Sequence, residues 1–285
     1  RNSAATRVNA QGLVENVQIL SSNLVQNGDF SEEGAEEVSN GSFTNGSTDW
    51  EIEGSSSIVV GDFKGKTDVA KININNVSSG SRIRQPFNYV SGKTYKVDVE
   101  VYVESGNFRA DCSDSFVSGD FVSTSTLGSW QTLTAYITVI STGSNYIWLR
   151  SISGVSEFYV SNISVKEVGM DWGIINATIT DVGNLNGTGV TSMLYQDVLT
   201  NGSTYKATFT ISNYNGLGEA RMIDSSGAAI YTITSNGTFT ITFTHTNANG
   251  NIYWRARNSA IFSIDDVSVI EITTDTNLPR ISYEN

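Results

Sequence analysis

The sequence predicts an all-β chain: two tandem jelly-roll β-sandwich domains, with an extended N-terminal arm and a short C-terminal tail. Three observations predict it. Apolar and polar residues alternate with period two, most clearly in Tyr95-Lys96-Val97-Asp98-Val99-Glu100-Val101-Tyr102-Val103, and no long segment carries a 3.6-residue period. Two prolines and 26 glycines stand among abundant Ser, Thr and Asn, the chemistry of many short strands joined by tight turns. The strand Phe158-Tyr159-Val160-Ser161-Asn162-Ile163-Ser164-Val165 is echoed by Phe262-Ser263-Ile264-Asp265-Asp266-Val267-Ser268-Val269. That spacing is too long for a solenoid repeat and suits tandem domains.

Residues 1–22 lack a strong period and are read as an arm that docks on another body. Asn27-Gly28-Asp29-Phe30 opens the first domain, residues 23–168. A second opening follows an acidic linker of Glu32, Glu33, Glu36 and Glu37: Asn40-Gly41-Ser42-Phe43, leading to Asp49-Trp50. Two openings in succession suggest a partial duplication. Strands are then expected at Ile58 to Val60, Val69 to Ile74, Ser81 to Gln85, Tyr95 to Val103, Phe108 to Cys112, Trp130 to Val139 and Tyr146 to Arg150. The second domain, residues 169–272, begins at Asp171-Trp172. Its Ser192 to Gln196 answers Ser81 to Gln85, and Gly202 to Lys206 answers Gly92 to Lys96. Phe239 to Phe243 answers the strand after Trp130, and Ile252 to Arg255 the strand at Ile147. Residues 273–285 are read as an irregular tail.

Composition narrows the function. The 285 residues suffice for two domains with real cores. A net charge of −12 opposes nucleic-acid binding, which needs a basic surface. A single cysteine, Cys112, rules out a disulfide within the chain. No run reaches the roughly 18 apolar residues of a membrane span, so no membrane insertion is expected. The N-terminus is not a signal peptide, and Arg1 in place of Met marks a processed chain or part of a longer one. His245, the one histidine, has no nucleophile or orienting acid beside it and reads as an ordinary strand residue. One His and one Cys do not make a zinc site, and no phosphate-binding or dinucleotide fingerprint occurs. The chain is expected to be non-enzymatic.

The strand faces suggest where binding resides. In Tyr146-Ile147-Trp148-Leu149-Arg150, Ile147 and Leu149 point to the core, leaving Tyr146, Trp148 and Arg150 outside. In the second copy Ile252 and Trp254 point inward, leaving Tyr253, Arg255 and Arg257. Tyr102 and Glu100 are likewise expected outside, opposite Val97, Val99 and Val101. An outward ring beside a charged group suits a sugar: the ring stacks on the pyranose C–H face and the charge binds hydroxyls. The competing reading has the same rings covered by a loop, the other domain or a symmetry mate.

Taken together, the Asn-Gly-Asp-Phe opening, the Asp-Trp step, the Gly-x-Thr-Tyr strand and the closing Val/Ile-Ser-Val strand resemble carbohydrate-binding-module-like jelly rolls. The flanks Ser3-Ala4-Ala5-Thr6-Arg7-Val8-Asn9-Ala10-Gln11-Gly12-Leu13-Val14-Glu15 and Thr276-Asn277-Leu278-Pro279-Arg280-Ile281-Ser282-Tyr283 resemble segments of tailed-bacteriophage structural proteins. The resemblance implies a virion protein of the particle surface, a head or tail fibre or capsid decoration. Its partners would be other virion proteins, further copies of itself with a trimer favoured, and a host-surface glycan. It also implies a structural Ca²⁺ between opening and closing strand, on Asp29 and Glu32 with Asn162 in the first copy and on Asp265 or Asp266 in the second. Asn162 in place of an acid weakens the first site, and the second copy is expected to lack the Asn-Gly-Asp-Phe opening. The alternative is the carbohydrate-binding region of a secreted bacterial polysaccharide-degrading enzyme.

Overall fold

The computed structural model describes residues 6–8, 12, 14–16, 18–76, 80–86, 88–112, 117–119, 122–139 and 146–274. Among them every regular element is a β-strand, and every strand ladder is antiparallel. The chain is all-β and forms two jelly-roll sandwiches. They are not arranged one after the other. One compact unit comprises residues 32–170, and the other joins residues 1–31 to residues 171–285. The first is the inserted module, the second the outer module.

In the inserted module one sheet runs Val122–Thr124, Phe108–Cys112, Tyr146–Arg150, Arg82–Pro86, Glu51–Glu53. The other runs Val117–Gly119, Trp130–Val139, Thr94–Ser105, Ser156–Val168, Lys66–Ile74, Ser56–Phe63. The period-two pattern does what it predicts: Tyr95, Val97, Val99, Val101 and Val103 are buried, with Lys96, Asp98 and Glu100 between them on the other face. They meet Ile83, Phe108, Ile147 and Leu149 of the facing sheet in one core. Glu33–Glu36 pairs with the end of Ser156–Val168, Val168 opposite Glu33, so the segment enters and leaves its module side by side. Lys96 and Lys166 hold Glu33 at 3.0 and 2.9 Å across this seam.

In the outer module one sheet runs Gly173–Ile175, Ser192–Asp197, Asn251–Arg257, Glu219–Asp224, Ala229–Thr232. The other runs Ala177–Ile179, Gly183–Asn186, Ile261–Thr274, Thr204–Ser212, Gly237–Thr244, with Gln18–Leu20 paired to the end of Ile261–Thr274. Trp254, Tyr205, Phe209 and Phe262 are fully buried.

Each module is closed by its own opening, and the two closures match atom for atom. Phe43 stacks on Trp50 at 5.5 Å, and Phe30 on Trp172 at 5.0 Å. Trp50 Nε1–H donates to the Asn40 carbonyl, and Trp172 Nε1–H to that of Asn27. Gln85 clamps the backbone of Ser39, and Gln196 that of Gln26. The glycines are required: a Cβ on Gly41 would sit 2.0 Å from the Ile163 carbonyl oxygen, and one on Gly28 2.0 Å from that of Val267.

These contacts move the expected boundary at residue 23. Asn27-Gly28-Asp29-Phe30 closes the outer module, and the first sandwich starts at residue 32 rather than 23. The second copy therefore has the opening it was expected to lack. Local sequence could not decide this, because both openings carry the same signals and only their distant partners differ. The end of the expected arm is strand Gln18–Leu20, and the closing strand runs to Thr274. The rest of the expected tail, residues 275–285, lies outside the described residues.

Candidate functional site

The outer face of the five-stranded sheet in the inserted module carries three of the sequence-predicted residues together. Tyr146, Trp148 and Arg150 alternate with buried Ile147 and Leu149. Register places Asp111, Trp148, Arg84 and Glu51 in one row across four strands, with Arg109 opposite Arg150 in the next. The guanidinium of Arg82 lies 4.2 Å from the Trp148 ring centre, that of Arg84 4.2 Å from Tyr146, and that of Arg150 5.6 Å from Trp148. The counter-charges are all present. Asp111, fully buried, accepts from Arg150 and faces Arg109 Nε at 2.6 Å. Glu53 takes Arg82, and Glu51 takes Arg84 at 2.9 Å. Arg82, through its hydrogen bond, holds the Glu53 carboxyl below the usual carboxylate range. The Trp148 indole N–H has no acceptor among the described residues.

The outer module repeats the face with altered chemistry. Register equates Trp148 with Tyr253, Arg150 with Arg255, Arg109 with Arg221, Arg84 with Tyr195 and Asp111 with Ile223. Tyr195 and Tyr253 lie 5.0 Å apart at 34°. Tyr195 rests on Gly173 of the edge strand, where a Cβ would strike its ring at 2.2 Å. Burial, and then Tyr195, push the Tyr253 phenol above its ordinary value, so it stays a neutral donor. Arg221, Arg255 and Arg257 all surround Glu219, Arg221 at 3.4 Å, Arg257 at 4.0 Å and Arg255 in direct contact.

Tyr102 does not join either set. It lies on the seven-stranded sheet and is only 6% exposed, because Phe63 from the hairpin of Ser56–Phe63 and Lys66–Ile74 folds over it. Phe63 also stacks on Tyr159 at 3.6 Å and 5°, and Trp130 completes the cluster. Lys64, Lys66 and Lys71 cap these rings at 5.1–5.7 Å. Tyr102 is thus part of a small outer core and is not an open platform. Sequence alternation missed Arg82, Arg84, Arg109 and Asp111 on one face and Tyr195, Arg221 and Glu219 on the other. The alternation in Arg82-Ile83-Arg84 held the signal for the first two.

The expected calcium sets are divided between modules. Asp29 belongs with Asp265 and Asp266, whereas Glu32 and Asn162 belong to the inserted module. Burial, then Asp266 and Asp29, raise the Asp265 carboxyl above its usual range. Among the described residues no three His, Cys, Asp or Glu side chains converge as metal ligands.

The two candidate nucleophile or base residues are packing residues. Cys112 is buried, and burial followed by Asp111 pushes its thiol up, away from a reactive thiolate. His245 exchanges backbone hydrogen bonds with Gly202 and Ser203 as Val139 does with Gly92 and Lys93, so it fills the position of a core valine. Its Nε2–H donates to the Asn249 carbonyl at 3.1 Å.

No protein-family model and no curated protein matches the sequence. Solved structures similar to it include the N-terminal CBM22-1–CBM22-2 tandem domain of Paenibacillus barcinonensis Xyn10C, 10% identical, with 85% of this chain and 98% of that one covered and a TM-score of 0.40. A fucolectin from striped bass (Morone saxatilis) serum is 8% identical over 91% of this chain and 97% of that one, with a TM-score of 0.26. At these values neither likeness bears on what this chain binds.

Proposed function

We propose that the chain is a non-catalytic glycan-binding protein, and that its ligands lie on the outer faces of the two five-stranded sheets. One observation carries this reading: a partly exposed ring two residues before an arginine on the same outer face, Trp148 with Arg150, recurs as Tyr253 with Arg255 at the same register of the second module. A sugar ring stacks its C–H face on the aromatic, and the flanking Arg, Asp and Glu groups take its hydroxyls. Two such faces on one chain raise weak affinity by avidity, and oligomerisation would multiply the gain.

The setting follows from the flanking segments. Their likeness to tailed-phage structural proteins favours display on a virion surface, as a fibre or capsid decoration in an oligomer, a trimer above all. Immunolabelling of intact particles tests that setting. The same faces would equally serve the binding region of a polysaccharide-degrading enzyme, in which case a glycosidase domain is encoded in the same gene.

The binding itself is tested by a glycan array on the full chain, followed by titration of the best ligand. Trp148→Ala and Tyr253→Ala together are expected to weaken it by about 1–3 kcal/mol per lost ring, given what stacked and buried aromatics contribute. Undiminished affinity in the double variant contradicts the proposal.

A further inference from the structure

The two faces differ in one exchange. In the inserted module Asp111 neutralises Arg109 and Arg150 from a fully buried position, and Glu51 and Glu53 neutralise Arg82 and Arg84. At the position of Asp111 the outer module has Ile223, opposite Tyr253. Among the described residues Arg221, Arg255 and Arg257 share the single carboxylate of Glu219. Asp197, the other acid on this sheet's outer face, sits on strand Ser192–Asp197 opposite Asn251, beyond the two tyrosines.

Three guanidinium groups around one carboxylate leave an excess of positive charge, on a chain whose net charge is −12. Arg255 is only 9% exposed. Burying a guanidinium is costly unless its donors and its charge are met. They are not all met: the buried Nε–H groups of Arg221 and Arg255 have no acceptor among the described residues. Arg257, with 43% of its side chain exposed, stands at the rim and lines a cleft of about 340 Å³ with Gly187, Thr191 and Asn258. Register places the Tyr195 and Tyr253 rings in the row beside that of Arg221 and Arg255, with Arg257 and Glu219 one row further on.

Resting on the glycan-binding reading above, we infer that the outer module selects anionic sugars, with Arg221, Arg255 and Arg257 taking a carboxylate or sulfate while Tyr195 and Tyr253 stack on the ring that bears it. Guanidinium forks match such anions bidentately, and the anion supplies the charge that Ile223 withholds. The inserted module, with its guanidinium groups already paired, has no such preference.

The test uses the full chain and matched trisaccharide pairs in the glucose, galactose and mannose series: uronates with their carboxyl-reduced counterparts, and sulfated sugars with their desulfated ones. Titration calorimetry should show at least about tenfold tighter binding of one anionic member than of its neutral partner, with the gap shrinking as salt rises. The carboxylate and sulfate arms identify the anion. Arg257→Ala, a rim substitution that leaves the core intact, should reduce the gap severalfold. Ile223→Asp, which imports the inserted module's counter-charge, should abolish it while neutral-sugar binding persists. Equal affinity for charged and neutral partners overturns the inference and leaves the glycan-binding reading standing. A preference unmoved by both variants overturns its assignment to these arginines. Binding of no member of any pair overturns the inference together with the reading it rests on.

Discussion

Trp172 donates its indole N–H to the carbonyl oxygen of Asn27, 145 residues earlier in the chain, at 2.9 Å. The bond spans the whole inserted module. It makes the outer module discontinuous: its opening is held by Gln196, Trp172 and the strand around Val267, and none of these has yet been synthesised when residue 31 leaves the ribosome. Non-local closures of this kind fold late.

Trp172→Ala removes a large buried ring and its stack on Phe30. It should destabilise the outer module by about 3–5 kcal/mol, as aromatic truncations in cores do. Trp172→Phe keeps most of the packing and loses the hydrogen bond, at about 1 kcal/mol. Hydrogen exchange read by mass spectrometry should show faster exchange in 23–31 and 171–274, with 32–170 unaffected. Faster exchange spread evenly over both modules would contradict the nested arrangement. By the same logic residues 32–170 alone should fold, whereas residues 171–285 alone, lacking the opening, should not fold stably.

Much of this architecture was legible in the residues. Tyr95 to Val103 declared a strand because one face is buried and the other is not, and the Gly-x-Thr-Tyr and Val/Ile-Ser-Val landmarks declared the duplication. Tyr146, Trp148 and Arg150 could be placed outside for the same reason. What could not be read was ownership of the two openings. Asn27-Gly28-Asp29-Phe30 and Asn40-Gly41-Ser42-Phe43 make the same turn, and only partners far along the chain distinguish them. Tyr102 was misplaced because alternation reports which side of a sheet a residue faces, not what lies over that side. Phe63 is what lies over it. The Glu219 cluster escaped notice because its members come from two strands whose pairing is not written in either.

Phe63→Ala should cost the inserted module about 2 kcal/mol, less than a fully buried ring because Phe63 is partly exposed. The same change should expose Tyr102 and Tyr159, which acrylamide quenching of fluorescence would detect. An unchanged unfolding midpoint would mean that the cluster packs less tightly than its 3.6 Å stack indicates.

Acid should weaken the seam where the inserted module begins and ends. Hydrogen bonds from Lys166 and then Lys96 lower the Glu33 carboxyl below its ordinary value. A lowered carboxyl contributes stability that is present above its unfolded value and lost as pH falls through the folded one. Because Glu33 is partly exposed, its share is under about 1 kcal/mol. Glu33→Gln should therefore lower the melting temperature slightly at pH 7 and not below pH 3. Equal loss at both would place the effect in packing.

Asp265 has the opposite sign. Its carboxyl is raised by burial and by Asp266 and Asp29, so its favourable contribution is present below the unfolded value and lost as pH rises through the folded one. Asp265→Asn is expected to raise the melting temperature of the outer module at pH 7 in EDTA, and added calcium is expected to leave the wild type unmoved. A calcium-dependent rise that Asp265→Asn removes would show instead that these three acids hold a cation.

The most direct test of glycan recognition is a map of where the sugar sits. Amide chemical shifts of the full chain, recorded while titrating the best ligand from the array, should move along Tyr146–Arg150 and Arg82–Pro86 and along Ser192–Asp197 and Asn251–Arg257. Shifts confined to the Phe63, Trp130 and Tyr159 side of the seven-stranded sheet, or no shifts with any glycan, would contradict the account.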